Sequence, residues 1–170
     1  MSSYRIRSLD FRDSGEVYTA ASFSMMTLLE TLPEARADPE LVPNFSVEEM
    51  AAMYRSGQSD PDHRYLVIVD DNNRPVGHAI ALIRCDDDGT RYGYSYTRYI
   101  LPHHRRRGLA RRLLRAAKSW WAEAGVSHVL AHTHPENKPL QTLFIDEGFQ
   151  VVERRDGRWP SLLLRCELQP

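Results

Sequence analysis

The sequence predicts an α/β fold, a mixed β-sheet of about seven strands with about four helices covering its faces. Its apolar residues switch between a period of two, typical of strands, and a period near 3.6, typical of helices. The resulting order is β-α-α-β-β-β-α-β-α-β-β, which favours a mixed sheet. No repeat, low-complexity tract or linker interrupts the chain, so residues 1–170 are predicted to form a single domain.

The first third of the chain is predicted to contain one strand and two helices. A cap at Asp13-Ser14 precedes the first helix, and Ser46 with Glu49 forms a capping box for the second. The predicted bounds are 4–9 for the strand, 14–31 and 46–55 for the helices, and 33–44 for a proline-rich loop between them. The apolar face of the first helix is predicted to be Val17, Ala20, Ala21, Met25, Leu28 and Leu29.

The middle of the chain is predicted to be a meander of three strands. Runs rich in β-branched and aromatic residues occupy 65–69, 76–84 and 91–100. They are separated by turns at 70–74 and 86–89, which are rich in Asp, Asn and Gly. We interpret these acidic turns as solvated hairpin tips.

The pattern after Pro102 changes to that of a long helix, which Gly125 is expected to end. Strands are predicted at 127–132, 149–152 and 162–168, with a helix at 137–147 that Gly148 ends. The apolar face of the long helix is predicted to be Leu109, Leu113, Ala116, Ala117, Trp120 and Ala124.

The bulk composition argues against several classes of protein. Hydrophobic residues make up 42% and charged residues 26% of the chain, as in ordinary globular proteins, and the formal net charge of −1 gives no global attraction to nucleic acid or anionic lipid. Neither a signal peptide nor a membrane-spanning stretch is recognisable, so the expected location is cytoplasmic. Cys85 and Cys166 are widely separated and are predicted to be buried thiols rather than a disulfide.

The stretch LPHHRRRGLARRLL at 101–114 places five arginines around Gly108, between a strand end and a helix start. Helix N-termini carry unpaired N–H groups and a partial positive charge, which makes them phosphate sites. Gly108 lacks the Cβ that would block a phosphate, and Ala110 keeps the next position small. The other basic residues fall mostly off the apolar face and are interpreted as solvated helix surface: Arg111, Arg112, Arg115 and Lys118.

The spacing of Arg105, Gly108 and Ala110 after a strand ending in Ile-Leu-Pro resembles a family signature. That signature, (Gln/Arg)-x-x-Gly-x-(Gly/Ala), belongs to the GNAT superfamily of acyl-CoA-dependent N-acetyltransferases. The stretch NKPLQTLFIDEGF at 137–149 looks like the second acyl-CoA element of that family. The residues at its expected offsets are Asn137, Leu140, Leu143, Phe144, Gly148 and Phe149. The element order agrees over nearly the whole chain, and the specific part, the implied acyl-CoA-binding core, is 98–149.

The resemblance implies that acetyl-CoA is the co-substrate and that no metal is needed. The acyl-CoA would lie where two parallel strands splay apart, here those ending at Ile100 and near His132. Backbone groups of Ile100 and Leu101 would pair with the pantetheine arm, and an N–H near Ile100 would polarise the thioester carbonyl. The remaining implied cofactor contacts are Arg105, Arg106, Arg107, Gly108, Leu109, Ala110, Asn137 and Phe144.

The implied reaction is direct attack of a neutral amine on the thioester, through a tetrahedral intermediate. A base must take a proton from the amine, often through water. The family commonly places a general-acid tyrosine where this chain has Phe144, which has no proton to donate. Three alternatives stay open: protonation by solvent or another side chain, a substitute such as Tyr94 or Tyr96, or a fold that binds acyl-CoA but transfers poorly.

No base is obvious in the strand at 91–100, which contains neither a carboxylate nor a histidine. Its residues Tyr92, Tyr94, Tyr96 and Arg98 share one parity. Tyr94 and Tyr96 are predicted to line the acceptor pocket or to pack on the sheet, and Tyr96 is also a catalytic candidate. His132 and His134 share a parity on the other splayed strand and are the candidate catalytic histidines. A metal site of His128, His132 and His134 is disfavoured because no carboxylate lies between them.

Three function classes compete. The first is an N-acetyltransferase acting on a small-molecule or peptide amine, and the second is a GNAT-like module that holds acyl-CoA without fast transfer. The third, nucleic-acid binding through the basic run, is disfavoured by the net charge and by the lack of interleaved aromatic residues. No membrane partner is expected, and a homodimer is compatible with the family.

Overall fold

The elements of the fold follow the predicted order. A computed structural model describes residues 3–32 and 46–168, and the predicted loop at 33–44 lies outside them. The strands are β1 (Arg5–Ser8), β2 (His63–Val69), β3 (Pro75–Cys85), β4 (Arg91–Ile100), β5 (His128–Thr133), β6 (Gln150–Arg155) and β7 (Ser161–Glu167). The helices are α1 (Ser14–Thr31), α2 (Val47–Gly57), α3 (Leu109–Glu123) and α4 (Lys138–Asp146), with a 3₁₀ turn at Pro102–His104.

The seven strands form one mixed sheet in the order β1-β2-β3-β4-β5-β7-β6. The central pair, β4 and β5, is parallel, and the pairs on either side of it are antiparallel. Pairing of β4 with β5 runs only from Gly93–Val129 to Ser95–Ala131, although β4 continues to Ile100. The two strands therefore separate beyond Ser95, which confirms the predicted splayed pair.

A β-bulge lies where the splay begins. Ile80 of β3 pairs with Thr97 of β4, but the next residue, Ala81, pairs with Ser95, so Tyr96 is the extra residue. An extra residue reverses the alternation of side chains beyond it. Tyr94 and Arg98 consequently point to opposite faces of the sheet, which corrects the prediction that they share one parity.

Hydrophobic cores cover both faces of the sheet. One lies beneath α1 and α2, around Val17, Tyr54 and Val67. The other lies beneath α3 and α4, around Leu113 and Trp121. The cap at Asp13 and both hydrogen bonds of the Ser46 capping box are present, so the first two helices start as predicted.

The buried face of α3 differs by one position from the prediction. Trp121 and Leu114 are fully buried, whereas Trp120 is only partly buried. Trp121 packs on Gly93, where a Cβ would come within 2.9 Å of the indole, and its Nε1 donates to the carbonyl of Leu82 at 2.8 Å. The missing side chain of a strand glycine thus decides which tryptophan enters the core.

Two further expectations need correction. Leu29, predicted on the apolar face of α1, is 41% exposed. Cys166 is a buried thiol as expected, but Cys85 is exposed because it ends β3 beside the acidic turn, and both are free. Within residues 3–32 and 46–168, none of the helices has the length and apolarity to cross a bilayer.

Candidate functional site

Two connected cavities open along the splayed strands. The first, the turn cleft, has a volume of about 810 Å³ and follows the loop from Ile100 to Arg111. The second, the splay cavity, has a volume of about 440 Å³ and lies between α1, the ends of β4 and β5, and the start of β7. Residues common to both linings join the two spaces: Thr27, Thr31, Arg98, His134, Asn137 and Leu140.

The turn before α3 presents backbone amides to the turn cleft. Arg106 has a φ of 62° and Gly108 a φ of 72°, so two left-handed residues curl the chain just before the helix. Arg112 donates its N–H to Gly108, but no side chain caps the preceding amides of Leu109, Ala110 and Arg111. A Cβ on Gly108 would meet no described atom within 4 Å, because this position faces the open cleft. This geometry is that of a nest for an anion.

The three arginines of the turn make different contacts, and not all of them are free to face the turn cleft. Arg105 bonds the carboxylate of Glu30 in α1 at 2.8 Å and the carbonyl of Ile100 at 2.8 Å. Arg107 donates to the hydroxyl of Tyr4 at 3.2 Å and does not line the turn cleft. Arg106 lines the cleft and has no hydrogen-bond or ion-pair partner among the described residues. The structure thus places Arg106, rather than Arg105 or Arg107, to supply charge to a bound anion.

The basic residues of α3 lie at the solvent-accessible surface, as predicted, and they also make specific contacts with the rest of the fold. Arg111 binds Asp146 at 2.7 Å and Glu147 at 3.2 Å, and Arg115 binds Glu147 at 2.9 Å. The same contacts hold the pKa of the Glu147 carboxyl below its usual range, chiefly through the hydrogen bond from Arg115. Lys118 donates to the Glu147 carbonyl and Arg112 to the Tyr4 carbonyl, both at 2.8 Å. The contacts of Arg111, Arg115 and Lys118 connect α3 to the end of α4, and the contact of Arg112 connects it to the N-terminal segment.

Ile100 and Leu101 differ in what they offer the gap between the strands. The N–H of Leu101 donates to Val76 at 2.9 Å, and its carbonyl accepts from His104. Because backbone groups alternate along a strand, the N–H of Ile100 points the other way, into the gap. The N–H of Ile100 is therefore directed into the gap, whereas the carbonyl of Ile100 is bonded to Arg105 and both backbone groups of Leu101 are bonded within the protein.

Asn137 and Phe144 both belong to α4 and its cap. The Oδ1 of Asn137 accepts from the N–H of Leu140 at 3.3 Å, which leaves the amide NH₂ for the two cavities that Asn137 lines. Phe144 is buried against Phe149 and forms part of the wall of the splay cavity. It has no polar atom to offer there.

His132 and Tyr96 line the splay cavity, and Tyr94 contacts His132. His132 is exposed and lines the cavity, and its Nδ1 lies 3.1 Å from the hydroxyl of Tyr94. Partial burial of the ring, followed by the charge of Arg155, lowers the pKa of His132 from its ordinary value. Tyr96 lines the cavity and is 37% exposed. Tyr94 is absent from both described linings and instead supports His132 from behind.

His134 is buried just beyond β5 and lines both cavities. Its Nδ1 accepts the N–H of Glu136 at 3.2 Å, and its carbonyl accepts from Gln141 at 3.3 Å. A ring whose Nδ1 accepts a hydrogen bond carries its proton on Nε2 when neutral. His134 is therefore placed as a hydrogen-bond donor rather than as a base.

Several residues of the site have no counterpart among the predicted site residues. Glu30 holds Arg105 and also accepts from the hydroxyl of Tyr99 at 2.9 Å, across 69 residues of sequence. Thr27 donates to the carbonyl of Arg98 at 3.0 Å, and Arg98 itself lies between the cavities. Glu30 and Thr27 belong to α1, where no sequence pattern identifies them as site residues. Among the residues that the structure describes, no cluster of His, Cys, Asp and Glu could hold a metal ion.

Comparisons with known proteins identify relatives of this chain. The chain is 34% identical over 76 residues to the GCN5-related N-acetyltransferase 6, chloroplastic, of Arabidopsis thaliana, a match that covers 45% of this chain and only 26% of that protein. The paia N-acetyltransferase of Thermoplasma acidophilum, solved with coenzyme A, superposes over 97% of this chain and 99% of its own with a TM-score of 0.74 at 19% identity. The spermidine N-acetyltransferase of Vibrio cholerae, solved with CoA and spermine, superposes over 97% and 95% with a TM-score of 0.73 at 17% identity.

These superpositions establish the fold, and the match to a family model establishes the family. Residues 27–149 match the model of the acetyltransferase (GNAT) family, a span that contains the turn before α3, both splayed strands and α4. The chain therefore belongs to the GNAT acetyltransferase family.

Proposed function

We propose that this chain transfers an acetyl group from acetyl-CoA to the amine of an acceptor. The observation that carries the proposal is the uncapped start of α3, which opens into a cleft continuous with the gap between β4 and β5. The nest before α3 fits a pyrophosphate, and the unpaired strand edge in the same cleft fits an arm that contains amide groups. The relatives from Thermoplasma acidophilum and Vibrio cholerae, solved with coenzyme A and CoA, support this assignment.

The donor would be held chiefly by backbone groups. The amides from Arg106 to Arg111 would bind the pyrophosphate, with the Arg106 side chain as countercharge. Asn137 would offer its amide NH₂ from the opposite wall. The N–H of Ile100 would donate to the thioester carbonyl, where negative charge develops during attack.

The acceptor amine would enter the splay cavity and lose its proton to His132. With Nδ1 bonded to Tyr94, Nε2 is the ring nitrogen left for the cavity, and a water can carry the proton between amine and ring. The lowered pKa keeps His132 neutral, and so able to accept a proton, at neutral pH. Phe144 cannot protonate the departing thiolate, so solvent supplies that proton.

Binding of acyl-CoA without fast transfer is the second candidate, and Phe144 is the observation that favours it. Two measurements on the purified protein separate the candidates. Acetyl-CoA at about 100 times its Kd is expected to raise the Tm by roughly 5–10 °C. Release of free thiol in the presence of an amine panel then identifies an enzyme. A Tm that does not move at millimolar acetyl-CoA would exclude both candidates, and a shift without thiol release would leave the binding module.

His132→Gln is expected to reduce kcat/KM by about 10- to 100-fold at pH 7, because it removes the general base. The pH profile provides the sharper readout. Protonation of the amine alone gives log kcat/KM a slope of one on the acid side. The wild type should steepen to a slope of two once the pH falls below the lowered pKa of His132, where the ring also becomes protonated, and the variant should keep a slope of one.

The matched control is His103→Gln, at an exposed histidine that lines neither cavity. It should leave both the rate and the profile unchanged. A His132 variant that retains the steep limb would show that another group is the base.

A further inference from the structure

Arg98 is a partly buried cation in the gap between the splayed strands, and its Nε atom is fully buried. Its guanidinium lies 4.3 Å from the centre of the Phe144 ring, and one terminal nitrogen donates to the hydroxyl of Ser95. Burial lowers the pKa of Arg98 to about 10, so the side chain is still charged at neutral pH. The ring and the hydroxyl are both uncharged, and neither balances a full positive charge.

No described carboxylate is ion-paired with Arg98, although Glu30 and Glu136 line the turn cleft that Arg98 also lines. None of the residues at 3–32 and 46–168 forms an ion pair with it, whereas the arginines at 105, 111 and 115 each have a carboxylate partner. The described lining of the splay cavity includes no aspartate or glutamate. A partly buried charge without a counterion is unfavourable, and a polycationic amine would add to the repulsion rather than relieve it.

Two buried polar atoms of the splay cavity also lack partners within the described part of the chain. One is the Nε of Arg98 and the other is the Oγ1 of Thr133, which come from the two splayed strands. Both residues line the cavity. Buried donors are ordinarily satisfied, so a pair of open ones beside an unbalanced cation indicates a ligand that accepts hydrogen bonds and carries negative charge.

We propose that Arg98 binds a carboxylate of the substrate, so that the acceptor is an amine bearing a carboxylate, such as an α-amino acid, rather than a polyamine. The proposal rests on the acetyl transfer proposed above. Thr133 would donate to the same carboxylate. Because Arg98 lines both cavities, the carboxylate could also be carried by the acyl chain of the donor, and the experiment has an arm for each source.

The first arm compares α-amino acids with their carboxamides as acceptors, at saturating acetyl-CoA, by thiol release. The pairs used are leucine with leucinamide and glutamine with glutamine α-amide, and spermidine is the polycation. The wild type is expected to prefer each acid over its amide by about 100-fold in kcat/KM, and spermidine to be the poorest acceptor. Arg98→Gln should reduce this preference to within about threefold, mainly by slowing the acids.

The second arm compares succinyl-CoA with acetyl-CoA, using leucinamide as the acceptor. A preference for the succinyl donor that Arg98→Gln abolishes would keep the carboxylate site and assign it to the donor. Arg98→Lys retains the charge but not the planar fork, and should keep part of the preference in whichever arm shows it. Arg154→Gln, at an exposed arginine paired with Asp156, is the matched control and should change nothing.

The outcomes separate this inference from the proposed function. If acetyl-CoA raises the Tm and amides react as well as acids in both arms, the carboxylate site is wrong while acetyl transfer stands. If Arg98→Gln slows every acceptor by the same factor, Arg98 acts on the reacting thioester and the inference is again overturned. If acetyl-CoA does not raise the Tm, the proposed function itself fails. A Tm for each variant shows whether its effect reflects lost folding.

Discussion

Gly108→Glu is expected to weaken acetyl-CoA binding by at least about 100-fold, the largest functional effect of any single change in the turn. Gly108 has a φ of 72°, and a side chain here would project into the turn cleft. A glutamate would place a carboxylate against the bound pyrophosphate, and juxtaposed like charges cost several kcal/mol. The measurement is the Kd for acetyl-CoA, taken from the concentration dependence of the Tm.

Gly125→Glu is the matched control for the backbone effect. Gly125 follows the other end of α3, roughly 25 Å from Gly108 along the helix, and has a φ of 75° with open space at its Cβ position. Both variants pay about 1 kcal/mol for a side chain in the left-handed region. Only the Gly108 variant should lose affinity. Equal Kd values for the two variants would refute the placement of the pyrophosphate at this turn.

Trp121→Ala is expected to lower the free energy of unfolding by about 3–5 kcal/mol, the range for removal of a buried Trp or Phe side chain. The indole is fully buried, fills the space above Gly93 and satisfies the carbonyl of Leu82. Its loss would leave both a cavity and a buried acceptor without its donor. Urea denaturation measures the change, which should appear in the midpoint with little change in the m-value.

Trp159→Ala serves as the control for the same substitution at an exposed position. Trp159 is 46% exposed, so its truncation should cost less than about 1 kcal/mol. Trp121→Phe separates the two contributions at the buried site, since it keeps most of the apolar contact and loses the hydrogen bond. A Trp121→Ala variant no less stable than Trp159→Ala would contradict the packing described here.

The elements of the fold were predictable because their signals are local. The caps at Asp13 and Ser46 and the left-handed stop at Gly125 act within a few residues, and the predicted strands and helices agree with the structure to within about three residues at most of their ends. The buried tryptophan was harder to assign. Helical spacing admits either Trp120 or Trp121, and the choice depends on Gly93 in a strand nearly thirty residues earlier.

The site was predictable in its backbone and not in its side chains. The turn around Gly108 and the splay follow from local signals and from the family resemblance, and both are present. The pairing of Arg105 with Glu30 spans 75 residues, and nothing near either residue indicates it. Arg98 was not predicted as a site residue, because strict alternation along β4 assigns its side chain to the same face as the tyrosines. The extra residue at Tyr96 that changes this face is visible only when β4 is paired with β3.

The bulge at Tyr96 also bears on how the length of β4 can change. Ser95 and Thr97 pair with Ala81 and Ile80, which are neighbours in β3, so the residues on either side of the bulge already face the sides that a regular ladder would give them. A deletion of Tyr96 would therefore remove the bulge and leave the Arg98 side chain beside Phe144 and the Tyr99 ring beside Phe23. We therefore expect β4 to tolerate the loss of this one residue without an exchange of its two faces.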